Sequence, residues 1–126
     1  MRDFRDLNVW QSSHRLTLAI YRVTESFPRS ELFGLVSQMR RASSSIGANL
    51  AEGCGRWGDG DMGRFVQIAM GSASELHNLL LLASDLAYID QTDKANLFGD
   101  ISEVRRMLTA LFKRVRRIPT VPQMPA

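Results

Sequence analysis

The sequence has one cysteine, Cys54, among its 126 residues. A single thiol excludes an intrachain disulfide, and with it the small secreted scaffolds that depend on such bridges. Histidine is almost as scarce. His14 and His77 fall in different predicted helices, with no acidic residue at ligand spacing. No Glu-x-x-His pair occurs, and di-metal carboxylate sites in helical bundles need two of them. No metal and no cofactor is therefore expected. Long hydrophobic runs are missing too. The most apolar stretch, Leu79 to Leu82, is far short of the roughly 20 residues that span a bilayer. The first six residues mix both charges with no apolar run behind them. The expectation is a chain without a secretory signal or a membrane span, located in the cytoplasm.

A chain of this length makes one domain and buries roughly 65–70% of its unfolded surface, enough for a core without staples. Apolar residues recur at helical spacing in four long segments, and nothing alternates like a strand for more than a few residues. The predicted fold is all-α, an antiparallel up-down four-helix bundle over residues 1–118. A disordered tail, 119–126, follows, with Pro119, Pro122 and Pro125.

The first helix is expected from Val9 to Ser26, with Asn8 as N-cap, Gln11 completing a capping box, and Pro28 as the stop. The second is expected from Glu31 or Leu35 to Glu52. Ser30 would cap the early start, and Gly53 would form a left-handed C-terminal cap. Its apolar stripe is Leu32, Leu35, Met39, Ala42, Ile46 and Leu50. A glycine-rich loop, 53–60, leads to a third helix over 61–88. The inner stripe there is Phe65, Ile68, Ala69, Ser72, Leu76, Leu79, Ala83 and Leu86. The fourth helix is expected over 93–117 with Thr92 as N-cap. Leu97, Ile101, Val104, Leu108, Leu111, Val115 and Ile118 recur at alternating intervals of four and three, an a/d heptad seam.

The loop spells G-x-G-x-x-G from Gly53 to Gly58. A dinucleotide fingerprint needs a strand before it, and here a helix comes first, so the match reads as a cap and a tight helix–helix connection. Arg56 and Trp57 offer at most a small anionic or stacking contact, and simple packing of Trp57 is the favoured reading. Ser43, Ser44, Ser45 and Cys54 have no histidine base beside them in sequence. Mid-helix serines ordinarily bond back to the helix or permit close packing. No catalytic residue is expected.

Two polar patterns remain. On the second helix Gln38, Arg41, Ser45, Asn49 and Glu52 lie within about 80° of arc, beside the apolar stripe. Ser72 and Glu75 sit similarly on the third. Such a row is costly to bury unless its members are paired. It is read as a satisfied structural network, with Arg41 meeting Glu52 or Glu75, in preference to a ligand cleft.

The second pattern is charge. Net charge is +3, but Arg105, Arg106, Lys113, Arg114, Arg116 and Arg117 follow the last acidic residue of the chain. The preceding part carries all thirteen acidic residues against ten basic ones. The asymmetry suggests an anionic partner, RNA or DNA, bound by these six residues. Fourteen of the sixteen basic residues are arginine, which suits bidentate phosphate contacts. The alternatives are a solvated face whose cations favour the negative end of the helix, and an adaptor that displays the bundle to a protein partner.

The same residues resemble a family. Phe4, Asp6, Leu7, Val9 and Trp10 open like the 23S rRNA intervening-sequence proteins. Phe27-Pro28, Glu31, Gly34-Leu35, Gln38, Arg40-Arg41-Ala42, Ser45-Ile46 and Asn49 continue the likeness, as do Ala51-Glu52-Gly53, Arg56, Phe65, Ala69, Gly71-Ser72 and Glu75. The resemblance covers about residues 4–115. It implies an up-down four-helix bundle assembled as a ring-like homopentamer, with no catalytic residues to carry over. It extends to the accessory variability proteins of diversity-generating retroelements, which act with a reverse transcriptase and associate with nucleic acid through a basic surface. Under this resemblance the Gln38–Glu52 strip with Glu75 is a shared structural signature.

Overall fold

The computed structural model describes residues 3–56 and 59–116. Arg117, Ile118, Trp57 and the tail lie outside the described residues. Four long helices account for most of the rest: α1 (Asn8–Thr24), α2 (Ser37–Cys54), α3 (Asp59–Asp85) and α4 (Gln91–Arg116). No strand occurs among the described residues. Each helix packs on its neighbour in sequence, and α4 closes the ring against α1. Short connections make the neighbours antiparallel. The starts of α1 and α3 therefore share one end of the bundle with the ends of α2 and α4. Among the described residues, no helix is long and apolar enough to cross a membrane.

The core follows the helical period. Leu16, Ile20, Met39, Ile46, Leu50, Val66, Leu76, Leu80, Leu97, Ile101, Val104 and Leu108 are almost wholly buried. The heptad seam on α4 is buried at every described position, from Leu97 to Val115.

Three stripe residues point elsewhere. Ile68 on α3 and Leu86 just past its end are nearly half exposed, and Met62, Val66, Ala73 and Leu80 fill the core beside the remaining stripe residues. The buried face of α3 is rotated toward α4, which the heptad seam demands. Leu32 is also exposed, because it precedes α2 in a wide π turn, Leu32–Val36, whose Gly34 has non-helical angles of φ −111° and ψ −108°. That break resets the helical phase, so Leu35 and Val36 are buried and Leu32 is not.

The helix ends differ from expectation in instructive ways. α1 starts at Asn8, with Leu7 in the cap position and no side-chain cap. Burial of Leu7 and Val9 sets this entry. Gln11 donates its amide to the Arg5 carbonyl, at 2.8 Å, in place of a capping box. Glu31, not Ser30, receives the backbone N–H of Leu35. Asp90, not Thr92, caps α4 by accepting from Asp93 N at 2.7 Å. α3 stops at Asp85 because Ala87 takes a left-handed conformation, φ 62°. Tyr88 N then donates to Ala83 O and Ala87 N to Ser84 O, each at 3.0 Å, the paired bonds of a Schellman end.

Gly53 is helical, and α2 runs on to Cys54, followed by Gly55 at an ordinary φ of −80°. Its role is close approach. A Cβ there would lie 2.8 Å from Met62 Sδ and 3.1 Å from Phe65 Cβ. The missing side chain lets the end of α2 meet the start of α3. Gly53→Ala is expected to destabilise the fold by about 1–2 kcal/mol despite the better helix propensity of alanine. Gly71→Ala, where an added Cβ meets nothing within 4 Å, should stabilise it by about 0.5–1 kcal/mol. Urea unfolding of the two variants checks the contrast.

Candidate nucleic-acid interface

The polar strip on α2 resolves into short pairings with α3. Arg41 Nη2 lies 3.1 Å from Glu75 Oε2. The hydroxyls of Ser45 and Ser72 are 2.8 Å apart across the helix pair. Asn49 donates its amide to both the carbonyl and the hydroxyl of Ser45, at 2.8 and 3.0 Å. Glu52 pairs with Arg56, not with Arg41. Gln38 is exposed and takes no part in these bonds. Two members of the strip, Arg41 and Ser45, thus pair across to α3, and Asn49 supports Ser45 from within α2. Ser43 and Ser44 bond back to the carbonyls of Arg40 and Arg41. Among the described residues, every buried side-chain nitrogen and oxygen has a partner, and no three His, Cys, Asp or Glu side chains converge as metal ligands.

The basic residues of α4 lie opposite its seam, and all five described ones are exposed. Burial of the heptad positions forces this, since a guanidinium cannot enter the core without a partner. The fold divides the five. Arg105 Nη1 sits 2.8 Å from Nδ1 of His77 on α3. Arg116 rests over the Phe112 ring, 5.8 Å from its centre. Arg106 is tied to Glu103, one helical turn before it. Those hydrogen bonds hold the Glu103 carboxyl below its ordinary range and raise the Arg106 guanidinium. Arg114 and Arg106 line a shallow groove of about 530 Å³ against the start of α1, together with Asp6 and Asn8. The stretch that is acid-free in sequence therefore pairs with one carboxylate, Glu103, and shares its groove with a second, Asp6.

At the same end of the bundle, Arg56 and Arg64 approach the Phe65 ring, their guanidinium carbons 5.2 and 5.0 Å from its centre. Sequence reading missed Arg64 because it stands alone in its helix. The folded contact with Phe65 is what brings it beside Arg56.

The Ser45–Ser72 pair and the Arg41–Glu75 pair differ in burial, and so in expected worth. Ser72→Ala breaks a half-buried hydrogen bond and should cost about 1 kcal/mol. Glu75→Gln alters a pair whose side chains are 65% and 41% exposed, and should cost no more than about 0.5 kcal/mol. Thermal unfolding of the two single variants separates them.

Comparison with known proteins agrees with this geometry. A crystal structure of a protein of unknown function from the S23 ribosomal protein family of Bacteroides thetaiotaomicron superposes with a TM-score of 0.76. It shares 24% identity over 83% of this chain and 95% of its own length, a likeness of fold. No curated protein matches. Residues 5–110 match the family described as 23S rRNA-intervening sequence protein. On that match, which takes in the first three helices and most of the fourth, the chain belongs to the 23S rRNA-intervening sequence protein family.

Proposed function

We propose that the chain is a non-enzymatic, oligomeric helical-bundle protein of the cytoplasm that binds RNA or DNA through the basic surface of α4. The observation that carries this reading is the exposure of all five described basic residues at the end of α4, opposite a fully buried seam. Arg105, Arg106, Lys113, Arg114 and Arg116, with Arg117 beyond the described residues, would contact phosphates, with shape and charge deciding affinity. An oligomer multiplies the effect, because each copy adds the same patch. The sequence resemblance to accessory proteins of retroelements points the same way, and the resemblance to the intervening-sequence family suggests a homopentamer. No activity accompanies the family description or the solved relative.

A second reading, an adaptor for a protein partner, is favoured by a different feature. Phe33 is 93% exposed in the turn before α2, beside the half-exposed Leu32. Tyr88, just past α3, donates its hydroxyl to Glu31, so the turn lies against the end of α3, where Leu82 and Leu86 are also exposed. An apolar cluster of this kind fits a subunit or partner contact.

Fluorescence anisotropy with structured RNA and duplex DNA, alongside sedimentation for the assembly state, tests the reading. Binding should weaken steeply with salt, by a slope of about 0.9 per phosphate contact on duplex DNA, and vanish when the six basic residues are neutralised. A folded oligomer that binds neither polymer favours the adaptor.

A further inference from the structure

We infer that a nucleic-acid duplex lies along the groove between α3 and α4, held chiefly by Arg105 and Arg116, and that Arg106 and Arg114 contribute little to the affinity. This rests on the nucleic-acid reading above and narrows it to one flank of α4 and one form of the polymer.

The helical wheel sets Arg105 and Arg116 on the α3 flank and Arg114 on the far side, with Lys113 and Arg106 between them. With Arg105 as origin, Arg116 lies at about 20° and Lys113 at about 80°, with Thr109 between them at about 40°. Arg106 and Arg114 lie at about 100° and 180°. The contacts agree with the wheel. Arg105 and Thr109 line a small cavity with Met70 and Ser74 of α3. Arg105 also meets His77. Arg114 and Arg106 instead face the start of α1, with Asp6 beside them, and Arg106 is already paired with Glu103.

The α3 wall of the groove is polar and lacks carboxylates. From Met62 to Ser84 its one acidic residue is Glu75, which points the other way, to Arg41 on α2. Ser74 faces the groove, and Gln67 and Asn78 share its stripe at spacings of seven and four. All three are exposed and able to donate to phosphate oxygens. Of the five described basic residues at the end of α4, only Arg106 has a carboxylate in ion-pairing range. From Arg105 to Arg116 the cations span about 16 Å along the helix axis.

The polymer form follows from what lines the groove. Single strands are held by aromatic platforms on which bases stack. Here both rings at hand are half-buried and engaged, His77 with Arg105 and Phe98, and Phe112 under Arg116. A groove of cations and hydroxyls without a stacking face suits the regular backbone of a duplex, whose bases are already stacked. The phosphodiester backbone is common to RNA and DNA duplexes, and both are assayed.

The test uses two charge-matched variants of the full chain, R105Q/R116Q and R106Q/R114Q, with anisotropy on labelled RNA and DNA duplexes near 0.15 M salt. All four positions are exposed, and circular dichroism confirms that each variant folds. R105Q/R116Q should weaken binding at least about 10-fold and make the salt slope on duplex DNA shallower by about 1.8. R106Q/R114Q should change affinity less than about 3-fold, since Arg106 is paired with Glu103 and Arg114 lies on the far side of the helix. Ser74→Asp, which leaves α4 intact, should also weaken binding. Equal losses in the two double variants, or a larger loss in R106Q/R114Q, overturn the groove assignment while leaving the nucleic-acid reading in place. A single strand of equal length that outcompetes the duplex overturns the polymer form. If the wild-type protein binds no nucleic acid, the reading and the inference fall together.

Discussion

The burial of one face of α4 is the constraint on which the rest of the structure depends. Leu97, Ile101, Val104, Leu108, Leu111 and Val115 form a single line of side chains shut off from water. Each is worth roughly 1.5–3 kcal/mol in apolar burial, and together they close the bundle against α3 and α1. The same line fixes where charge can go. With the seam inside, Arg105, Arg106, Lys113, Arg114 and Arg116 have only the solvent side available. The basic surface is therefore a consequence of packing, and it is as rigid as the helix that carries it. A site on a rigid element places its cations without first ordering a loop.

The contact between α2 and α3 complements this arrangement. It is built from small and polar residues: Gly53 against Met62 and Phe65, the serine pair, and the Arg41–Glu75 bridge. Small side chains let the helices approach, and the hydroxyl pair sets their register. This contact also engages the one acidic residue in the middle of α3 on the side away from α4. The neutral, hydroxyl-bearing flank that α3 shows to α4 follows from where Glu75 is held. Two features that look separate in sequence, a polar strip on the second helix and a basic run on the fourth, are joined through the rotation of α3.

How much of this was legible in the sequence can be seen residue by residue. The four helices and the seam on α4 follow from periodicity, and a carboxylate partner for Arg41 follows from the cost of burying unpaired polar groups, but the choice of Glu75 over Glu52 comes only with the fold. Ile68, Leu86 and Leu32 were read as core and are not. An apolar stripe gives a period but not its phase, and here the phase is set by a neighbouring helix and by the break at Gly34. Helix ends were also partly hidden. Burial of Leu7 overrides the cap expected at Asn8, and a left-handed alanine at position 87 ends α3 where glycine would be the usual signal. For the candidate site, the six basic residues were visible as a run. Their division into two flanks was not, because Asp6 lies a hundred residues from Arg106 and comes to line the same groove only in the folded chain.

The most direct measurement uses the two lysines of the sequence, Lys94 and Lys113. They stand on the same helix, one near its start and one among the basic residues of its last turns. Their rates of acylation, read by mass spectrometry with and without duplex, report on site and control in one molecule. The account predicts that duplex slows the modification of Lys113 several-fold and leaves Lys94 unchanged. Equal protection of both lysines, or protection of Lys94 alone, would contradict it.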